Sequence, residues 1–108
     1  MSLLVEERCY KLKAAHTPAQ FLDIYQSTGA MELQVRLLGN MIGYFVTEIG
    51  DLNSIVHLWG YESMDDRARR RAQLREEPLW QDYLRQILPM LDTMTNRILL
   101  PTSFSPIR

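Results

Sequence analysis

The chain has a single cysteine, Cys9, among its 108 residues. An internal disulfide is therefore excluded, as is a metal centre built on several thiolates, and a reducing compartment is the natural setting. Histidine is nearly as scarce: His16 and His57 are the two in the chain, too few for a multi-histidine metal site. No metal and no cofactor are expected. An excess of charge is missing too, because twelve Lys and Arg offset thirteen Asp and Glu for a formal net charge of -1. Such a chain has no global field to draw nucleic acid or an anionic membrane. No stretch approaches the roughly 20 apolar residues that span a bilayer, and the N-terminal MSLLVEERCYKLK mixes acids and bases where a secretory signal has an apolar run. A cytoplasmic location, with no nucleic-acid or membrane partner, is the expectation. A Gly-rich phosphate loop, a Ser-His-Asp order and nucleic-acid signatures are also lacking.

What is present is the balance of an ordinary globular chain, 46% hydrophobic and 23% charged, at a length that suits one domain over residues 1–108. Residues 3–13 read as a strand. In HTPAQF, Thr17 is placed to cap a helix, Pro18 suits its first position, and Gln20 completes a capping-box pattern. Phe21, Ile24, Tyr25 and Thr28 follow at helical spacing, and Gly29 separates this helix from a second piece over residues 31–38. The run MIGYFVTE, residues 41–48, is rich in aromatic and β-branched residues, as a strand is. Gly50 and Asp51 then supply a tight turn at positive φ, and residues 54–62 return as a partner strand. Ser63 with Asp66 opens a helix that Pro78 ends. Trp80, Tyr83, Leu84, Ile87 and Leu88 mark the apolar face of another, and residues 95–100 read as a last strand.

The order is βαββαβ, and its simplest compact form is a four-stranded antiparallel sheet with helices on one face. Strand alternation puts Ile55, His57, Trp59 and Tyr61 on one side and Val56 and Leu58 on the other, and Phe45 opposite Ile42, Tyr44 and Val46. Both faces are apolar, whereas helices cover one. A second copy of the chain is the natural cover for the other, so a homodimer is expected.

The segments GYFVTEIGDLNSIVHLWGYESMDDRARRRA and PLWQDY, with ILLPTSFSP at the C-terminus, resemble the NIPSNAP family. The resemblance runs over nearly the whole chain and is most specific at Thr47, Glu48, Ile49, Gly50, Leu52, Asn53, His57, Leu58, Trp59 and Tyr61. It implies a ferredoxin-like fold that pairs into a dimeric α+β barrel. It implies no assigned reaction, which leaves a module for a small apolar ligand or a protein. The same barrel fold also houses cofactor-independent monooxygenases, so an oxygenase or isomerase acting on a small aromatic or lipophilic substrate is the alternative.

His57, on a central strand, is the candidate catalytic base. The competing reading is a buried histidine that is hydrogen-bonded to a neighbour and orients the hairpin. Trp59 and Tyr61 share its side, and Arg8 and Tyr10 share a side of the first strand, so these four are candidate ligand-binding residues. Core packing is their alternative. Glu48 and Asp51 flank a turn, where acids are commonly solvated. Arg67, Arg71 and Arg75 recur every four residues, a spacing that suits an anion or an acidic partner. Between them, Ala68 and Ala72 are small enough to lie against a sheet, which makes the arginines a solvated outer face instead.

Overall fold

The structure, a computed structural model, describes residues 3–108. In chain order it contains β1 (Leu4–Leu12), α1 (Pro18–Ser27), α2 (Ala30–Leu38), β2 (Asn40–Val46), β3 (Ser54–Tyr61), α3 (Met64–Glu76), α4 (Pro78–Ile87), a 3-10 turn at Leu88–Met90, and β4 (Leu91–Leu99). The strands form one antiparallel sheet in the order β2-β3-β1-β4. Non-consecutive strands β1 and β3 therefore sit at its centre, with β2 and β4 at the edges.

Local chemistry starts and stops the helices as expected. The Thr17 side chain accepts from the Gln20 amide at 3.2 Å, while the Gln20 side chain accepts from the Thr17 amide at 2.9 Å. Two otherwise unpartnered donors are thereby satisfied reciprocally. Gly29, at φ 85°, turns the chain from α1 into α2, a conformation that costs glycine little. The Ser63 hydroxyl accepts from the Asp66 amide at 3.0 Å to start α3, and Pro78 both ends it and opens α4.

Two expectations about strands are corrected. The β2–β3 connection is a seven-residue loop over 47–53, not a tight turn, and its left-handed positions are Gly50 and Asn53 rather than Gly50 and Asp51. Asp51 instead accepts from Lys11 at 2.6 Å and from Ser54 at 3.2 Å, which ties the loop to β1. Strand β4 begins at Leu91, four residues before the expected start at Thr95. Its DTMT stretch carries little apolar pattern, but an edge strand is held by main-chain pairing to β1 and needs no apolar face.

The core lies between the helices and one face of the sheet. Ile55, Trp59, Tyr61, Tyr10 and Leu12 meet Phe21, Tyr25, Leu74, Tyr83 and Ile87 there. Tyr10 packs edge-on against Phe21 at 6.1 Å, and Tyr25 stacks on Tyr44 at 5.0 Å, both favoured aromatic geometries. On the opposite face Val56 and Leu58 are half-buried, and Phe45 remains 54% exposed, its ring lying over Gly43.

Candidate functional site

Sheet register brings the candidate residues together. Arg8 pairs with His57 and Tyr10 with Ile55 across β1 and β3. With Trp59 and Tyr61 following at alternate positions, all five side chains lie on the helix-covered face. The face is a mixture of aromatic wall and charge, because β1 also directs Glu6 inward, fully buried.

Glu6 is surrounded by donors. Its Oε1 accepts from Arg67 Nε at 3.1 Å, and its Oε2 accepts from Arg67 Nη2 at 2.8 Å, Arg8 Nη1 at 3.1 Å and Asn96 Nδ2 at 2.7 Å. Burial acts to raise its pKa, but the hydrogen bonds from Arg67 and Asn96 and the charges of Arg8 and Arg67 outweigh it and hold the carboxyl down to about 2. Arg8 Nε donates to the Tyr10 hydroxyl at 3.1 Å, and its guanidinium carbon lies 5.7 Å from the Tyr10 ring centroid.

His57 is 1% exposed. Its ring stacks on Tyr44 at 4.6 Å and meets Tyr10 edge-on at 4.8 Å. Trp59 Nε1 donates to His57 Nδ1 at 2.7 Å. An indole N–H can only donate, so Nδ1 is the acceptor and a neutral imidazole carries its proton on Nε2. Burial, then the charge of Arg8, pushes the His57 pKa down to about 3, so the neutral form is the resident one. Nε2 has no protein partner among the described residues, and neither does the buried Tyr61 hydroxyl.

The arginine helix corrects an expectation. Arg67 and Arg71 are turned toward the sheet, with Leu74 one turn further on, whereas Ala68, Ala72 and Arg75 face outward. Spacing alone could not choose between the two rotations of this helix, since its apolar residues are too few to mark a face. Leu74 and Asp66 are its buried residues. Glu6 and Asn96 carried no sequence signal beyond alternation with Arg8, because a charged residue on a strand is more often solvated. Outside this cluster, Tyr61 also lines a cleft of about 420 Å³ with Asn40, Asp66 and Arg70. Asp66 there accepts from Arg70 Nε at 2.9 Å, and Arg70 Nη1 donates to the Leu37 carbonyl at 3.2 Å.

A ferredoxin-like βαββαβ sheet, covered on one side by helices and carrying a buried arginine-rich cluster, defines the class as α+β. The chain belongs to the NIPSNAP family, whose profile matches residues 5–106. It is 32% identical to the NipSnap homolog of Dictyostelium discoideum, over 89% of this chain and 41% of that protein. The chain thus spans about two fifths of that curated relative's length. Among solved structures, a NIPSNAP family protein of Agrobacterium tumefaciens is 43% identical, with a TM-score of 0.93 over 98% of this chain and 99% of that one. A NIPSNAP-like domain protein of Burkholderia xenovorans is 50% identical, with a TM-score of 0.90 over 96% and 89%. The fold alone is shared with SnoaB, a cofactor-independent oxygenase of Streptomyces nogalater, at 14% identity and a TM-score of 0.67 over 98% of this chain and 99% of that one. It is shared likewise with a dimeric ferredoxin-like protein from an uncultured marine organism, at 12% identity and a TM-score of 0.68 over 100% and 94%. No helix among the described residues is long and apolar enough to cross a membrane.

Proposed function

We propose that this chain works as a homodimeric small-ligand-binding module of the cytoplasm, with the ligand received on the helix side of the sheet by Arg8, Tyr10, His57, Trp59 and Tyr61. The observation that carries the reading is the pair of buried polar groups, His57 Nε2–H and the Tyr61 hydroxyl, that no protein atom among the described residues satisfies. A buried donor left unpaired costs about 1–3 kcal/mol, which an acceptor on a ligand would recover.

The same geometry favours binding over the oxygenase or isomerase alternative. A base at Nε2 needs that atom's lone pair, and the Trp59 hydrogen bond assigns the ring's free lone pair to Nδ1, where it is already used. His57 is accordingly proposed as a donor and as a fixed wall, oriented by Trp59 and Tyr44.

The second copy is supported by apolar residues that one chain leaves uncovered. Phe45 lies on the sheet's helix-free face, and Leu100 and Phe104 lie on the C-terminal tail, the last 84% exposed. The ferredoxin-like protein of the same fold is dimeric, which supports pairing. Light scattering at micromolar concentration is expected to return twice the chain mass. A monomer there would remove the dimer from the proposal without touching the ligand site.

A further inference from the structure

The proposed small-ligand site has a charge imbalance that narrows what it can hold. Of the arginines on α3, Arg67 is bound to Glu6, and Arg69 and Arg70 are both bound to Asp66. Arg75 faces solvent. Arg71 is half-buried on the inward face and makes no ion pair among the described residues. Around the His57 face, three guanidiniums (Arg8, Arg67 and Arg71) therefore meet one carboxylate, Glu6. That carboxylate is already taken by four donors.

Every group left over is able to donate, and Arg71 is a cation as well. Arg71 keeps its guanidinium forks free, His57 presents Nε2–H, and Tyr61 presents its hydroxyl. Arg71 lies one helical turn beyond Arg67, which holds Glu6, so it faces the same side of the sheet as Arg8, His57 and Tyr61, and burial and then the charge of Arg8 push its pKa down. Arg71 is half-buried and has no counter-ion among the described residues, so the group that would pair with it is an acceptor that carries negative charge.

The adjoining edge strand adds an apolar element. On β4, Asn96 pairs with Arg8, and its side chain reaches Glu6 on the helix side. Alternation puts Met94 and Ile98 on that same side. There they are 49% and 37% exposed. An apolar strip open to solvent thus borders the cationic cluster.

We propose that the ligand is an amphipathic anion, its carboxylate or phosphate headgroup clamped by Arg71 and Arg8 and its apolar body lying along Met94 and Ile98. This rests on the small-ligand reading above and supplies its chemical class. Isothermal titration calorimetry on the full chain, with octanoate, octyl phosphate, 1-octanol and inorganic phosphate as probes, tests it. One of the two octyl anions is expected to bind measurably tighter than octanol or inorganic phosphate, and the tighter of the pair identifies the headgroup. Arg71→Gln is expected to weaken that anion by about 10- to 100-fold, as loss of a charge-assisted contact does, while Arg75→Gln on the outward face leaves it unchanged. If Arg71→Gln folds poorly, the ranking of the four probes on the natural chain decides by itself. Octanol binding as well as the octyl anions would overturn the anionic class and leave the small-ligand site standing. Inorganic phosphate binding as well as they do would overturn the apolar body, and no binding by any probe would overturn both readings.

Discussion

Glu6 and Arg71 are opposite cases of a charge inside the same cluster. Glu6 is surrounded by donors, and Glu6→Gln leaves Arg8 and Arg67 buried without their counter-ion, so a loss of about 3–5 kcal/mol is expected in urea unfolding. Arg71 has no such partner among the described residues, so Arg71→Met is expected to hold the unfolding free energy or raise it by up to about 1 kcal/mol. A fall as large as that of Glu6→Gln would show that Arg71 is paired after all. His57 sets a pH dependence with a definite sign. Its folded pKa of about 3 lies below its ordinary 6.5, so between those values the unfolded chain binds the extra proton and stability falls with acidification. The slope is at most about 1.4 kcal/mol per pH unit. Glu6, held at about 2 against an ordinary 4.5, adds a second loss that begins only as pH drops below 4.5. Chemical denaturation at pH 6 and pH 5 is expected to show the His57 slope in the natural chain and a flatter one in His57→Phe.

Among the elements, α3 stands apart because it lies on the sheet with Leu74 as its one buried apolar side chain and arginines as its inward contacts. Its seating depends on geometry elsewhere. Gly39 ends α2 at φ 93°, and a Cβ there would come within 2.8 Å of Arg70 Nη1, the atom that reaches the Leu37 carbonyl. Gly39→Ala therefore combines left-handed strain with displacement of Arg70, and a cost of about 1–3 kcal/mol in thermal unfolding is expected. By contrast, Thr17→Ala removes only the cap of α1 and is expected to cost about 1 kcal/mol. A Gly39→Ala loss no larger than that of Thr17→Ala would mean that α3 adjusts freely.

For the whole molecule the decisive surface is the sheet's helix-free face. Its apolar residues Val56, Leu58 and Phe45 are bordered by the ion pairs Glu7–Arg97, at 2.8 Å, and Lys11–Asp51, at 2.6 Å. A charged-rimmed apolar centre is the anatomy of an interface between chains. Leu58→Arg would bury an unpaired charge at the proposed dimer interface, and it is expected to halve the mass seen by light scattering and to abolish any dependence of the melting temperature on concentration. Cys9 lies half-buried on the same face, at the register position of Val56 and Thr95. Its alkylation is expected to speed up in Leu58→Arg.

Periodicity and capping residues were enough to order the elements, because those signals act within a few residues of chain. Thr17 with Gln20, Gly29, Ser63 with Asp66, and Pro78 each mark a boundary by local chemistry. Alternation likewise placed His57, Trp59 and Tyr61 on one side of β3, and Arg8 with Tyr10 on one side of β1. The early start of β4 was hidden, since edge pairing demands no pattern of side chains. Only the tertiary structure decided which way α3 turns, and with it that Arg67 neutralises Glu6 while the half-buried Arg71 makes no ion pair among the described residues. The residue that fixes this rotation, Glu6, lies 61 positions from Arg67 along the chain. Charge pairing across such a distance is a property of packing and leaves no trace in the spacing of the residues that make it.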